Sequence, residues 1–368
     1  MNKVCSLLPL VLITGCQQVP EKPAPAPSFL PKYHVAAPVA LFSTWPGDTM
    51  SARCQQVNTT DSCMEDAIAG NEFAAILKEK NWFDDVLTES DAADYEILIA
   101  SLSAQVADND SDGVSIHSAT AGLWPANTTP HYFTEFTVQW RGVEIDSQRF
   151  ETYSKTEKPV IELASEILDT WWLASLRKSV FSAEYLFTAL GASDYNAELV
   201  LPQSIGEFIL QDTQHYPDPF KGIISRYSHP EFDDALIDIT VGPVLMNLSM
   251  PESQRLQAAL EENLKEATQM SAAQGLTLIT DSPVSAFTVN SASQRFNGYR
   301  MAVHAENEPG EPLFATTYVF EMKDKLVTLS TTFPPRIADN LVSAALPVIE
   351  VPGESALMKT IRGMSSAQ

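Results

Sequence analysis

The chain has 368 residues, with 47 Asp or Glu against 23 Lys or Arg, giving a formal net charge of −24. That balance counts against nucleic acid, because binding a polyanion needs clustered Lys and Arg to release counterions. It also counts against a basic face adhering to anionic lipid. The hydrophobic fraction of 45% is that of a globular chain, and the length suits two domains of about 150 residues, each able to bury a core.

Met1–Cys16 reads MNKVCSLLPLVLITGC. Lys3 supplies a positive start, and Leu7–Ile13 form an apolar run broken only by Pro9. The run is too short to cross a bilayer, which takes about 20 apolar residues, and it has the build of a secretory signal. Its end, Ile13-Thr14-Gly15-Cys16, resembles the lipobox of bacterial lipoproteins. The resemblance implies removal of a signal peptide, 1–15, a diacylglycerol on the Cys16 sulfur and an acyl chain such as palmitate on its new amine. Several buried acyl chains anchor stably where one does not. Gln17 in place of Asp implies, in that family, sorting to the outer membrane, facing the periplasm by default with surface exposure as the alternative.

Residues 17–32, QQVPEKPAPAPSFLPK, carry five prolines. Proline denies the chain helix and ladder donors, so 16–32 is expected to be an extended tether of about 45 Å. With Cys5 lost in the signal and Cys16 lipidated, Cys54 and Cys63 remain in an oxidising compartment, which predicts a disulfide. Closing its loop of about 10 residues stabilises by about 2.7 kcal/mol. No His lies between or close to the two Cys, which counts against a metal site there.

A first domain is expected over 33–195. His34–Trp45 reads as a buried strand ending at Pro46-Gly47, and Met64–Lys80 as a helix with Ile68, Phe73, Ile76 and Leu77 on one face. Trp82–Leu87 and Tyr95–Val106 read as strands. His131–Trp140 and Val143–Tyr153 form a hairpin around Arg141-Gly142. Val160–Leu176 reads as a helix behind Pro159. This region resembles the small domains of outer-membrane lipoproteins of the curli-secretion and penicillin-binding-protein-activator kind. The likeness rests on Phe73-Ala74-Ala75-Ile76-Leu77, Trp82-Phe83-Asp84-Asp85-Val86 and Ala93-Asp94-Tyr95-Glu96-Ile97-Leu98. It implies an assembly, secretion or regulatory accessory rather than an enzyme.

Two features of the first region invite chemistry. Asp108, Asp110 and Asp112, followed by Gly113, match the first half of a calcium loop, where hard oxygens converge on one cation. The second half diverges, with Ile116 at the ninth position and Ala119 where a bidentate Glu belongs. Trp171-Trp172 suggests a carbohydrate or partner surface, against which stands ordinary packing late in a helix.

A helix over Phe181–Leu190 stopping at Gly191 leads to a second domain, 196–350. Phe208–Leu210, Gly222–Tyr227 and Ala235–Val241 read as short strands. Glu252–Gln274 is the clearest helix, striped by Leu256, Leu260, Leu264 and Ala267, with Ser249 and Glu252 placed for a capping box. Leu276–Ile279, Tyr299–His304, Ala315–Glu321 and Leu326–Thr332 read as strands, the last two joined by a turn, and Ile337–Leu346 as a closing helix. Residues 351–368 read as a flexible tail. The fold class is therefore α+β, two mixed or antiparallel sheet domains behind a signal and tether. The second region resembles photosystem-accessory and Mog-type domains, on Tyr216-Pro217-Asp218-Pro219-Phe220-Lys221-Gly222 and Thr316-Thr317-Tyr318-Val319-Phe320-Glu321.

No catalytic motif occurs: there is no G-x-S-x-G, H-E-x-x-H, Walker loop or G-x-G-x-x-G. The six His (His34, His117, His131, His215, His229, His304) are dispersed. The reading is a lipid-anchored, non-catalytic outer-membrane accessory or assembly factor with a protein partner. The alternatives are an envelope hydrolase with a spatially assembled site, and a small-ligand or Ca²⁺-binding lipoprotein. No cofactor is implied beyond that Ca²⁺. Residues 33–195 hold 9 basic and 25 acidic side chains, net −16, and 196–368 hold 11 and 21, net −10, whereas 17–32 holds two Lys and one Glu. The first region is thus expected to stand off an anionic bilayer and to meet a basic partner.

Overall fold

Alternating or continuous apolar segments before residue 196 build a mixed sheet, and those after it build an antiparallel one. The computed structural model describes residues 33–57, 63–107, 128–153, 158–245, 250–292, 294–306 and 312–365. The expected signal sequence, Cys16, the expected tether, and Asp108, Asp110 and Asp112 lie outside them. From His34 onward the chain forms one compact unit, with one sheet wholly before residue 196 and the other wholly after it.

The first part runs β1 (Val39–Ser43), α1 (Asp48–Val57), β2 (Met64–Glu65), α2 (Gly70–Lys80), β3 (Val86–Thr88), β4 (Tyr95–Ala107), β5 (Thr128–Trp140), β6 (Val143–Tyr153) and α3 (Val160–Lys178). Its sheet order is β3-β1-β4-β5-β6, with β2 also on β4. β1 runs parallel to β3 and β4; the β4–β5–β6 meander is antiparallel. Strand alternation sends β4 side chains to opposite faces. Ile97 and Ile99 share a face with Val138 and Phe136, their cross-strand partners. On that face the Phe136 ring meets Phe73 of α2 edge-on at 5.6 Å and stacks on Trp171 of α3 at 5.1 Å. Trp82 stacks on Trp172 at 4.6 Å, and Phe181 fits against both Trp171 and Trp172. On the other face Ala100, Leu102 and Ala104 pack with Phe133 against Met50 and Cys54 of α1.

The chain continues through α4 (Ala183–Leu190), α5 (Tyr195–Glu198), β7 (Ser204–Ile205), β8 (Phe208–His215), β9 (Ile223–Ser228), β10 (Leu236–Pro243), α6 (Glu252–Ala273), β11 (Thr277–Asn290), β12 (Arg295–Glu306), β13 (Leu313–Met322), β14 (Lys325–Thr331), α7 (Pro335–Ala345) and α8 (Ala356–Ser365). The second sheet has eight strands in the order β11-β12-β13-β14-β10-β9-β8-β7, every pair antiparallel. One face buries Tyr227, Ile239, Tyr318, Phe320 and Leu329 with Ala338 and Val342 of α7 and Phe187 of α4. On the other, α6 sets Leu256 and Leu260 on Met301, Val303 and Val319. The fold is α+β, as the order of elements predicts.

Two expectations need correction, and α1, the helix that carries Cys54, is not among the expected elements. Only Met50 and Cys54 of that helix are buried, too sparse a stripe to announce itself. The helix expected from Met64 starts instead at Gly70, since Met64 and Glu65 pair with Ser103 and Leu102 of β4 and Asp66 takes a left-handed backbone, φ 50°. Residues 351–365 are not a loose tail. Val351 and Met358 are buried, the Leu357 amide donates to Gly191 O at 3.0 Å, and Lys323 Nζ and Lys325 Nζ donate to Val351 O and Gly353 O.

The predicted disulfide is present, Cys54 to Cys63, with Cα atoms 6.3 Å apart. Cys54 is fully buried and Cys63 is not. Urea denaturation of Cys63→Ser is therefore expected to show a loss of about 2.7 kcal/mol, the loop-closure contribution alone. Cys54→Ser should lose more, because it also places a hydroxyl against Leu102 and Phe133. Equal losses would show that the buried sulfur adds nothing beyond the crosslink.

Candidate functional site

An α-helix is about 10 Å across and strands lie about 4.8 Å apart, so one helix covers two or three strands. α6 covers β11, β12 and β13 and leaves the neighbouring back-face residues Leu326 and Thr328 of β14 and Thr240 of β10 beside it. The turn 216–222 closes the far side. It folds flat on β10 because Gly222 takes φ 72°, and a Cβ there would lie 2.0 Å from Val241 O. Gly242 is held as tightly, its Cβ position 2.8 Å from Lys221 O. Asp218 fixes the turn by accepting from the Phe220 amide at 2.9 Å, and Tyr216 N donates to Gly222 O at 2.9 Å.

The result is a groove of about 570 Å³. Its floor and ends are apolar: Val244, Leu245, Ala259 and Leu326, with Tyr216 and Phe220 on the turn side. Lys221 stands on that side and Glu262 and Glu266 on the helix side. Arg255 of α6 spans to Glu321 of β13, its Nη2 2.7 and 2.8 Å from the two carboxylate oxygens and its Nε 3.1 Å from Oε2. Arg255 also donates to Met250 O. The side chains are only 11% and 16% exposed, so this planar, bidentate pair is a wall of the groove and not a solvated contact.

The same turn ties the two sheets together. Arg141, at the tip of the β5–β6 hairpin, reaches Asp94 at 2.8 Å and Asp218 at 3.1 Å and lies 4.3 Å over the Trp140 ring. The hydrogen bond to Asp94 foremost, with the charge of Asp218 behind it, raises its pKa above the ordinary arginine value, outweighing the desolvation that lowers it. Trp140 in turn meets Phe220 at 5.8 Å. Next to this junction Asp146, nearly buried, accepts from Lys178 Nζ at 2.8 Å and Tyr185 OH at 3.2 Å. Desolvation first, and then Asp146, pushes the Tyr185 phenol up to about 12.

The groove lining has apolar anchors and paired or rim charges, and among the described residues that line it there is neither His nor Cys. An apolar floor with charges at the rim is a surface that an extended or helical segment can occupy. The described histidines do not converge. Each faces a carboxylate: His34 with Asp84 at 2.8 Å, His131 with Glu151 at 3.8 Å, His215 with Glu184 at 3.8 Å, His229 with Glu207 at 3.1 Å and His304 with Asp281 at 2.7 Å. His117 lies outside the described residues, among which no three His, Cys, Asp or Glu gather as a metal site. Trp171 and Trp172 are fully buried, so neither offers a face to a sugar or partner.

The Arg255–Glu321 pair escaped sequence reading because 66 residues separate its members. The Pro-Asp-Pro turn was visible, but nothing local shows that it folds onto β10. No family model matches the chain, and no curated protein matches it. Among solved structures, one that is similar in part is the solution structure of cyanobacterial PsbP (CyanoP) from Synechocystis sp., at 10% identity and a TM-score of 0.27, covering 42% of this chain and 93% of that one.

Two measurements follow from this geometry. Arg255→Met keeps an apolar stem but leaves Glu321 without its cation, and is expected to cost about 3 kcal/mol by urea denaturation. Adding Glu321→Leu should recover most of that loss, because an apolar pair needs no desolvated charge. The second concerns His34. Its Nδ1 faces Asn81 O at 3.1 Å and its Nε2 faces Asp84 at 2.8 Å, two acceptors that favour the protonated ring, which donates from both nitrogens. The Asp84 hydrogen bond raises its pKa above 6.5. A raised pKa gives stability that is complete below the unfolded value and lost as pH rises through the folded one. Imidazole proton NMR should place the His34 midpoint above 6.5 and return it towards 6.5 in Asp84→Asn.

Proposed function

We propose that the chain is a lipid-anchored lipoprotein of the outer membrane, facing the periplasm, which acts without catalysis by holding a basic protein partner. The observation that carries this reading is the end of the apolar leader, Ile13-Thr14-Gly15-Cys16, followed at once by the proline-rich 17–32. A thioether-linked diacylglycerol plus an amide-linked acyl chain supplies the two or more anchors that stable attachment requires. Two further observations support the compartment and the partner. The Cys54–Cys63 disulfide suits an oxidising space. The α6 groove combines an apolar floor with Glu262 and Glu266 on its rim, which favours an apolar anchor flanked by positive charge. No described helix is long and apolar enough to cross a membrane, which leaves attachment in this reading to Cys16.

Expression in a Gram-negative host with radiolabelled palmitate tests the reading. The native chain is expected to take up label and sediment with the outer membrane. Cys16→Ser should take up none and appear in the periplasmic fraction. Equal membrane recovery of the two would overturn the anchor. Photocrosslinking from Lys221 in intact cells is expected to capture an envelope protein with a basic surface.

A further inference from the structure

A second cleft opens where strand β4 changes partner. Its edge is occupied first by parallel β1, whose last pairing is Ser43 with Ile99, and then by antiparallel β2, whose first is Glu65 with Leu102. Ala100 and Ser101 lie between, with no strand beside them on that edge. Open sheets place binding crevices beyond the carboxyl ends of parallel strands, and this gap lies just past the end of β1. Here the gap is a cleft of about 200 Å³, lined by Ser43, Thr44, Trp45, Glu65, Asp66 and Ser101 along with Pro46.

Trp45 stands apart from the other described tryptophans. Trp82, Trp140, Trp171 and Trp172 are 6% exposed or less, whereas Trp45 is 79% exposed. Its backbone is nevertheless held on both sides. Thr44 N donates to Ile99 O at 2.9 Å, and Gly47 N donates to Glu135 at 3.2 Å, with Glu135 fixed in turn by Arg149 at 2.6 Å. Pro46 restricts the residue between. The indole is thus presented on a fixed turn. Beside it, the carboxylates of Glu65 and Asp66 make no side-chain hydrogen bond or ion pair among the described residues, while Ser101 Oγ accepts from Ile68 N at 3.3 Å and keeps a lone pair.

We propose that this cleft takes one arginine side chain of the basic partner. The flat guanidinium stacks on an indole while its edge donates to carboxylates, a combination that a compact ammonium meets less well. The surrounding region carries net −16, which concentrates cations at the site and repels anionic ligands. The inference rests on the reading of a basic partner, yet its test needs neither anchor nor partner.

The full chain, labelled with 5-fluorotryptophan, is titrated with acetyl-triarginine amide and followed by fluorine NMR, with Trp45 assigned from Trp45→Phe. Saturable movement of the Trp45 resonance is expected, with tricitrulline silent and trilysine weaker. By isothermal titration calorimetry, which does not need the Trp45 probe, Trp45→Ala and the pair Glu65→Gln with Asp66→Asn should each weaken binding, by about 2- to 5-fold. The resonances of the buried tryptophans verify that each variant is folded. A motionless Trp45 resonance, an equal response to tricitrulline or trilysine, or native affinity in the variants would overturn the site. Those results would leave the anchor to be judged by Cys16→Ser, so the two readings fail separately.

Discussion

Everything in the first half of the molecule follows from burying β4 on both faces. A strand whose odd side chains are Ile97 and Ile99 and whose even ones are Ala100, Leu102 and Ala104 has no face to give to water. Helices must therefore cover both sides. The α2–α3 side takes the large rings, because Phe136 and Val138 on β5 extend the same face. The α1 side has small residues on β4, so a short helix with two buried positions suffices, and the disulfide holds that helix down where its apolar contact is thin. β5 matches β4 along its full length on one edge, but on the other edge no single strand does. β1 pairs with Tyr95–Ile99 and β2 with Leu102 and Ser103, and the joint between them is the cleft that displays Trp45. Site and scaffold have the same cause.

The second half has the opposite mismatch, a sheet wider than the helix available to cover it. α7 and α4, with the segments around them, bury the core of one face. On the other, α6 reaches across three strands and stops, and Arg255 with Glu321 marks the boundary of what it covers. A charged pair at that position keeps the margin of the helix fixed without closing the space beyond. The opposite bank is a turn that two glycines press onto β10. Because Asp218 of that turn also receives Arg141, the shape of the groove is tied to the first sheet through one guanidinium shared by two carboxylates.

Long amphipathic helices and alternating strands were legible in the sequence. Val160–Lys178, Glu252–Ala273 and the Arg141-Gly142 hairpin lie where periodicity and turn chemistry put them. What escaped was whatever depends on pairing with distant chain. Met64 and Glu65 belong to a strand only because Leu102 and Ser103 are there to receive them, and β11 runs on from the predicted Leu276–Ile279 to Asn290 because β12 continues alongside. The C-terminal helix needed Gly191 and two lysines of the β13–β14 turn to anchor it. The same holds for function. The proposed leader and lipobox, like the cysteine pairing, are read from local signals, whereas the groove and the Trp45 cleft are made by residues that only the fold brings together.

The charge carries the argument one step further. With 47 acids and 23 Lys or Arg, at least 24 carboxylates can have no Lys or Arg of their own. The fold spends its cations on structure: Arg141, Arg149, Lys178, Arg226, Arg255 and Arg300 each hold a carboxylate of another element or strand. The excess acids are left to solvent or to a cation from outside. Their mutual repulsion is screened beyond about 8 Å at physiological ionic strength. It therefore acts where carboxylates crowd, as at Glu65 and Asp66, and in the proposed site a guanidinium would relieve it there while salt competes for the same place. On that proposal, attraction of a basic partner and its sensitivity to ionic strength would be one property of this chain, set by where its few cations are already engaged.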